Sequence, residues 1–317
     1  MAVAVGPSAA QTHIENLPRL GEAAGDELSP AAERRLGEQI MRELRRERAF
    51  FDDAEVDDFL NRFGAKLTSA PAAAGYDFDF FAVLDTTVNA FALPGGYIGV
   101  HTGLITTAQS ESELAAVLAH EIGHVTQRHI ARMLAQQRQS SMMMLAALVL
   151  GVLAARSNPQ AIGGFATLGD QVARSTMLSF SRDAEREADR VGLEIMQHGG
   201  FDPTAAVTFF GRLQQIGRVY ENNAPAYMRT HPLTTERISD LQLRIREARY
   251  RQRVDSLDFR LIQAKLRAIG DSSIDGARNA RQTFERLTQQ GGRDDPAAWF
   301  GLATVAFAQR DFAAGEQ

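Results

Sequence analysis

Between Leu28 and Phe63, leucines and other apolar residues recur at helical spacing among Glu and Arg. Ser29-Pro30 supplies a start signal, so two helices are predicted, the second near Ala54–Ala70. The period then changes. Tyr76–Leu84 (YDFDFFAVL) alternates and is rich in aromatic residues, which predicts a strand. Phe91–Val100 reads as strand, Pro94-Gly95-Gly96 turn and strand, and the proline favours an edge or a turn over a central strand. Ser110-Glu111-Ser112-Glu113 has the form of a capping box and opens a helix expected to run to about Gln137. Helical patterns return at about Arg182–His198, stopped by Gly199-Gly200, at Pro203–Gly217, and from Thr235 to about Arg253.

From Ser256 onward the pattern becomes paired amphipathic segments, 259–269 with 275–290, and then 296–309 carrying Trp299, Gly301, Leu302 and Phe307. Their spacing resembles helix-hairpin repeats of the tetratricopeptide kind, with the last repeat cut off at Gln317. Ser141–Ala155 (SMMMLAALVLGVLAA) is the most apolar stretch, but its 15 residues fall short of the roughly 20 that span a bilayer. Three readings stay open for it: a buried helix, a gate over a cleft, or a hairpin making peripheral membrane contact. The chain is accordingly divided into a terminus (1–27), a main domain (28–255, with 141–180 as an insertion) and a repeat region (256–317).

Composition narrows the chemistry. A net charge of −5 gives no electrostatic case for nucleic acid. The absence of cysteine excludes disulfides, thiolate metal ligands and cysteine nucleophiles. Met1–Ala10 is small and apolar, and reads either as the remnant of a leader or as a loose terminus.

His120-Glu121-Ile122-Gly123-His124 has the form HExxH inside the capped helix. Side chains four apart share a helix face, so His120 and His124 can reach one metal, with Glu121 beside them as a base for water. A catalytic zinc usually takes a third protein ligand. His129 lies nine residues after His120, half a turn away around a continuous helix, so it is not expected to share the site. In Arg182–Asp189 (RDAEREAD), Glu185 and Asp189 share a face with Ala184 and Ala188, small residues that permit close helix packing. Glu185 is assigned to the metal and Asp189 to a hydrogen bond with a ligand histidine. Glu187 is expected to face solvent. His231, with Arg237 six residues on, is either a donor pair for a developing oxyanion or a loop histidine that binds the zinc and blocks it. His13, His101 and His198 are read as structural or surface residues.

Val88–Gly96 (VNAFALPGG), His120–His129 (HEIGHVTQRH), Glu185–Asp189 (EREAD) and His231–Arg237 (HPLTTER) together resemble one family of integral-membrane and periplasmic zinc metallopeptidases. That family includes HtpX, the CAAX prenyl endopeptidases and the BepA-type proteases. The resemblance covers Leu28 to Arg253 and implies one zinc per chain on His120, His124 and Glu185, a gluzincin set. It implies Glu121 as base, Asp189 behind a ligand, and His231 and Arg237 near the oxyanion, His231 being able to act as a self-inhibitory switch. It also implies that Asn89, Ala90, Phe91, Ala92 and Leu93 form the edge strand on which substrate backbone pairs. Without clear spanning helices and with its repeat-like end, the chain is closest to the periplasmic BepA-type branch, which acts in outer-membrane protein assembly. Unfolded or misassembled proteins would be the substrates, and the repeats would meet the assembly machinery. The expected fold is α+β and mostly helical: a zincin-like domain with a small edge sheet, then helical hairpins. The alternative is a non-catalytic chaperone or adaptor with a latent zinc site.

Overall fold

A computed structural model of the chain describes residues 28–136, 180–219, 225–246, 253–289, 295–311 and 315. The apolar segment 141–155 and the terminus 1–27 lie outside the described residues. The elements in order are α1 (Pro30–Leu44), β1 (Phe50–Phe51), α2 (Ala54–Thr68), β2 (Asp79–Val83), β3 (Ala90–Ala92), β4 (Tyr97–His101), α3 (Thr102–Thr107), α4 (Glu111–Thr126) and α5 (His129–Gln136). They continue with α6 (Arg182–His198), α7 (Thr204–Val219), α8 (Ala226–Thr230), α9 (Thr235–Ile245), α10 (Leu257–Ile269), α11 (Ile274–Gln289) and α12 (Pro296–Ala308). The fold is mostly helical with one small mixed sheet, as the sequence led us to expect.

Local chemistry explains where the helices begin. Ser29 accepts from the amide of Ala32 at the start of α1, Asp53 from Val56 at α2, and Ser181 from Ala184 at α6. At α4 the capping box is half realised. Ser110 accepts from the Glu113 amide, but the Glu113 carboxylate takes the Gln109 amide at 2.6 Å and a bidentate pair with Arg212. The sheet runs β1-β2-β4-β3, with β2 and β4 parallel and β3 antiparallel on the edge. Pro94 sits in the turn between β3 and β4, where its missing N–H removes nothing from the ladder.

The core lies between this sheet and the helices. Phe59, Leu60, Phe63 and Leu67, spaced along one face of α2, pack with Phe80, Ala82, Ile98 and Val100 of the sheet. α4 is buried on every side from Glu111 to Val125, its polar side chains included. Two glycines set its approach to α6. A Cβ on Gly123 would stand 2.9 Å from the Ala188 carbonyl oxygen, and one on Gly192 3.1 Å from the His120 amide. Only hydrogen at these positions lets the two backbones meet, and that closeness brings the Glu185 side chain to the histidines.

One boundary differs from expectation with consequences for the site. The helix opened by Ser110 ends at Thr126, and Arg128 takes φ 53°, a left-handed conformation that is rare for a side-chain-bearing residue. Its guanidinium is anchored on the Glu33 carboxylate and the Leu28 carbonyl, which hold that turn in place. A new helix, α5, then starts at His129. α9 is also shorter than expected, ending at Ile245, and Arg253 lies outside any helix.

At the C-terminal end α10 docks on α2 and α3. Gln263 donates to the carbonyls of Ile105 and Ala108 at 2.8 and 2.7 Å, closing the end of α3. Phe259, Ile262 and Leu266 join the main core, whereas Ala264, Ala268, Phe284, Ala297 and Val305 form a separate cluster within α10–α12.

Candidate metal centre

α4 presents His120, Glu121 and His124 toward α6, which returns Glu185 and Asp189, and the turn after α8 lowers His231 onto them. All six side chains are buried, none more than 4% exposed. One donor atom from each of His120, His124, Glu185 and His231 falls within 4.8 Å of the others. The two ligand-helix histidines point the same nitrogen inward, Nε2 to Nε2 at 3.0 Å. Glu185 reaches His120 Nε2 at 3.4 Å and His124 Nε2 at 3.5 Å. His231 Nδ1 lies 3.0 Å from Glu185, and its Nε2 lies 3.5 Å from Glu121.

Around these donors the support is asymmetric. Asp189 stands 2.9 Å from Nδ1 of His120, as expected for a carboxylate that fixes a ligand ring. Arg237 donates to both Asp189 oxygens at 2.7 Å, reaches Glu185 at 2.5 Å and the Pro232 carbonyl at 3.0 Å. Its guanidinium therefore braces the two carboxylates from behind. On the other side His129 meets Nδ1 of His124 at 2.8 Å. His129 is not among the four clustered donors, but the helix ends before it, so it stands behind His124 and not half a turn away. Glu187, expected to face solvent, is instead half-buried and joins His129 at 3.1 Å and Arg132 at 2.8 Å.

Sequence reasoning missed two further neighbours, Phe180 and Tyr227. The Phe180 ring stacks on His124 at 3.9 Å between centroids, and Tyr227 stacks on His231 at 4.7 Å. The Tyr227 hydroxyl is buried with no hydrogen-bond partner. No motif marks Phe180, while Tyr227 stands four residues before His231, one helical turn, which is the signal that could have found it. The expected edge strand is in place. β3 is flanked by ladder bonds from Leu93 to Tyr97 and from His101 to the Asn89 carbonyl, and Tyr227 donates to the Val88 carbonyl beside it. His101 is a buried structural residue, held near Asp85, Thr87 and Asn89, and burial pushes its pKa down to about 4. His198 lies exposed in the last turn of α6, and His13 lies outside the described residues.

The electrostatics of the cage test whether a metal suits it. Burial opposes charge on Glu185, but the facing His231 and the bonds from His120 and His124 hold its carboxyl well below the usual range. Asp189 is likewise lowered against its burial by the Arg237 bond. Burial pushes His124 well down, which keeps its ring neutral and its lone pair free. Burial opposes charge on His120 too, yet its bonds to Asp189 and Glu185 raise its pKa to about 9 when no cation is present. Three buried carboxyl groups, Glu121, Glu185 and Asp189, face the Arg237 guanidinium and the raised-pKa ring of His120. Glu185 is met by Arg237 at 2.5 Å, whereas the Glu121 oxygens have no side-chain hydrogen-bond partner and His231 stands 3.5 Å away. Unpaired buried carboxylates are costly unless a cation completes them. Imidazole nitrogens with a carboxylate are a donor set that suits zinc and other borderline divalent ions.

The comparisons agree with this geometry. Residues 53–245 match the model of peptidase family M48. The chain is 34% identical over 304 residues to the beta-barrel assembly-enhancing protease of Escherichia coli (strain K12), covering 95% of this chain and 61% of that protein. It is 29% identical over 252 residues to the mitochondrial metalloendopeptidase OMA1 of Schizosaccharomyces pombe, covering 76% and 69%. It is 24% identical over 223 residues to the metalloprotease LoiP of Escherichia coli (strain K12), covering 69% and 82%. The chain thus spans about three-fifths of the length of its assembly-enhancing relative. A matched family model over the whole cage, relatives that are proteases by name, and a buried His-His-Glu-His cluster lead to one conclusion: this chain belongs to peptidase family M48.

Proposed function

We propose that this chain is a zinc-dependent endopeptidase of the bacterial envelope that cleaves unfolded or misassembled proteins, with His231 closing the site at rest. The observation that carries the reading is the convergence of four buried donors beside the fully buried carboxyl group of Glu121. His120, His124 and Glu185 would hold one zinc. When bound, it supplies Lewis acidity, making water more acidic and polarising a peptide carbonyl.

The remaining steps belong to the protein. Glu121 takes the proton of the attacking water and delivers it to the leaving amine. Burial raises its pKa, with His231 and His120 offsetting part of that and the Ala92 amide also favouring its charge. A base of raised pKa retains the proton between the two transfers. Asp189 keeps His120 turned inward, and Arg237 keeps Asp189 and Glu185 in place. The backbone of Asn89–Leu93 is the edge on which an extended substrate adds as a further strand. His231 must leave Glu185 to admit that substrate, after which its ring N–H serves the developing oxyanion.

The residues 28–255 form the peptidase domain in this reading, and 256–317 the tetratricopeptide-like hairpins that meet a partner. The name of the Escherichia coli relative points to outer-membrane protein assembly as the process. No described helix is long and apolar enough to cross a membrane. The adaptor alternative is not favoured, because every residue type that hydrolysis needs stands in the cage.

Cleavage of an unfolded protein, assayed with metal content in parallel, tests the proposal on wild type, Glu121→Gln and His231→Ala. We expect one zinc per chain throughout, a loss of roughly 10²–10⁴-fold in Glu121→Gln, and a gain in His231→Ala. Wild type that binds no metal would overturn the reading. Zinc binding without cleavage in all three proteins would restore the adaptor.

A further inference from the structure

His120 and His124 enter the cage in the same way, Nε2 inward and Nδ1 outward, but what meets each outward nitrogen differs. For His120 it is a carboxylate, Asp189, at 2.9 Å. For His124 it is another imidazole, Nδ1 of His129, at 2.8 Å. His129 is itself buried, 2% exposed, and its other nitrogen meets Glu187 at 3.1 Å, with Arg132 on the same Glu187 oxygen at 2.8 Å. We propose that Glu187 and His129 form a relay that fixes the tautomer and ring angle of His124, making them positioning residues for the metal.

The direction of each hydrogen bond follows from valence. If Nε2 of His124 offers its lone pair inward, the ring proton is on Nδ1. That proton can be donated only to a lone pair, so Nδ1 of His129 is the acceptor and the His129 proton is on Nε2. Nε2 then donates to Glu187. The chain is consistent with both rings neutral, and every bond points the same way, from ligand to carboxylate. Reversing one ring leaves two N–H groups or two lone pairs facing each other at 2.8 Å. Arg132 keeps Glu187 an acceptor by donating to it. The left-handed turn at Arg128, tied to Glu33, is what carries His129 to this position.

The inference rests on the metal reading above, and the test separates the two. Zinc dissociation constants are measured by chelator competition for wild type, His129→Ala, His129→Gln and Glu187→Ala. Ring-nitrogen NMR of His124 is recorded on the same proteins, and thermal unfolding reports the fold. Ligand-orienting partners are worth roughly 10–100-fold in metal affinity, so we expect His129→Ala and Glu187→Ala to lose about that factor, with the Nδ1–H form of His124 no longer dominant. His129→Gln offers both an acceptor and a donor and should recover most of the affinity. Zinc binding in His129→Ala and Glu187→Ala within twofold of wild type, with an unchanged His124 tautomer, overturns the relay. Should His129→Ala not fold, Glu187→Ala, altered at the half-buried end, decides the same question. Loss of zinc without rescue by His129→Gln makes His129 a packing residue and also overturns the relay. Wild type that binds no zinc removes the premise and refutes the metal reading.

Discussion

The metal cage and the C-terminal helices both bury charged and polar side chains, but they treat them in opposite ways. Where α10 meets the main domain, each such group is answered. Glu111 takes Ser256 and Arg253, Lys265 pairs with Asp53 and Glu55, and Gln263 fills the open carbonyls at the end of α3. In the cage, three buried carboxyl groups crowd onto one guanidinium and the imidazoles, and the Glu121 oxygens have no side-chain hydrogen-bond partner. The first arrangement is what stability alone selects, since a buried polar group that lacks a partner costs about 1–3 kcal/mol. The second makes sense only if something else completes it. Crowded carboxyl groups in an otherwise well-packed core therefore mark a place that a cation could complete.

That contrast can be broken from either side. The largest effect is expected from Gly123→Leu, which drives a side chain into the Ala188 backbone and parts α4 from α6. Stoichiometric metal should be lost while the helices of the C-terminal region remain, as read by metal analysis and circular dichroism. Retention of full metal would mean that close packing of α4 on α6 does not build the cage. Next comes Phe284→Ala, which empties the space over Gly301 in the separate C-terminal cluster. Such truncations cost about 3–5 kcal/mol, and here the loss should appear in unfolding of that region with the zinc dissociation constant unchanged. A shift in metal affinity would show that the two regions are one cooperative unit.

The smallest effect concerns pH. His101 is buried neutral, with its pKa pushed down from 6.5 to about 4. The unfolded chain takes up this proton first on acidification, so the contribution is complete above about pH 6.5 and is lost as pH falls toward 4. At 1.36 kcal/mol per unit the loss is at most about 3 kcal/mol. Denaturant unfolding at pH 8 and pH 4.5 should show a smaller acid penalty in His101→Gln than in wild type. An equal penalty would place the acid sensitivity in the cage instead.

Much of the architecture was legible because it is written in local chemistry. Ser29, Asp53 and Ser181 each cap the helix that follows, and Gly199-Gly200 ends α6 where the pattern stops. The alternation at Phe78–Val83 and the Pro-Gly-Gly turn placed the small sheet and its edge. Glu187 was read as solvent-facing from its place on α6 alone, and helix periodicity was carried past Thr126, so the contact of His129 with His124 went unread. The single residue responsible, Arg128, takes a left-handed conformation that its own propensity disfavours, and it does so because Glu33, 95 residues earlier, holds its guanidinium. Arg237 was expected near the oxyanion, and its contacts with Asp189 and Glu185, set by which groups face it across α6, could not be read from the sequence.

By itself the sequence determined the donor types, their pairing at helical spacing on α4 and on α6, and the small residues that let the two helices touch. Those follow from periodicity and side-chain volume, which act over a few residues. Only the tertiary structure decided that His231 meets the other three donors, that His129 stands behind His124, and that Arg237 braces two carboxylates. Each of these depends on a direction set by distant partners, and burial makes such directions binding, because a polar group withdrawn from water must find its partner in the fold.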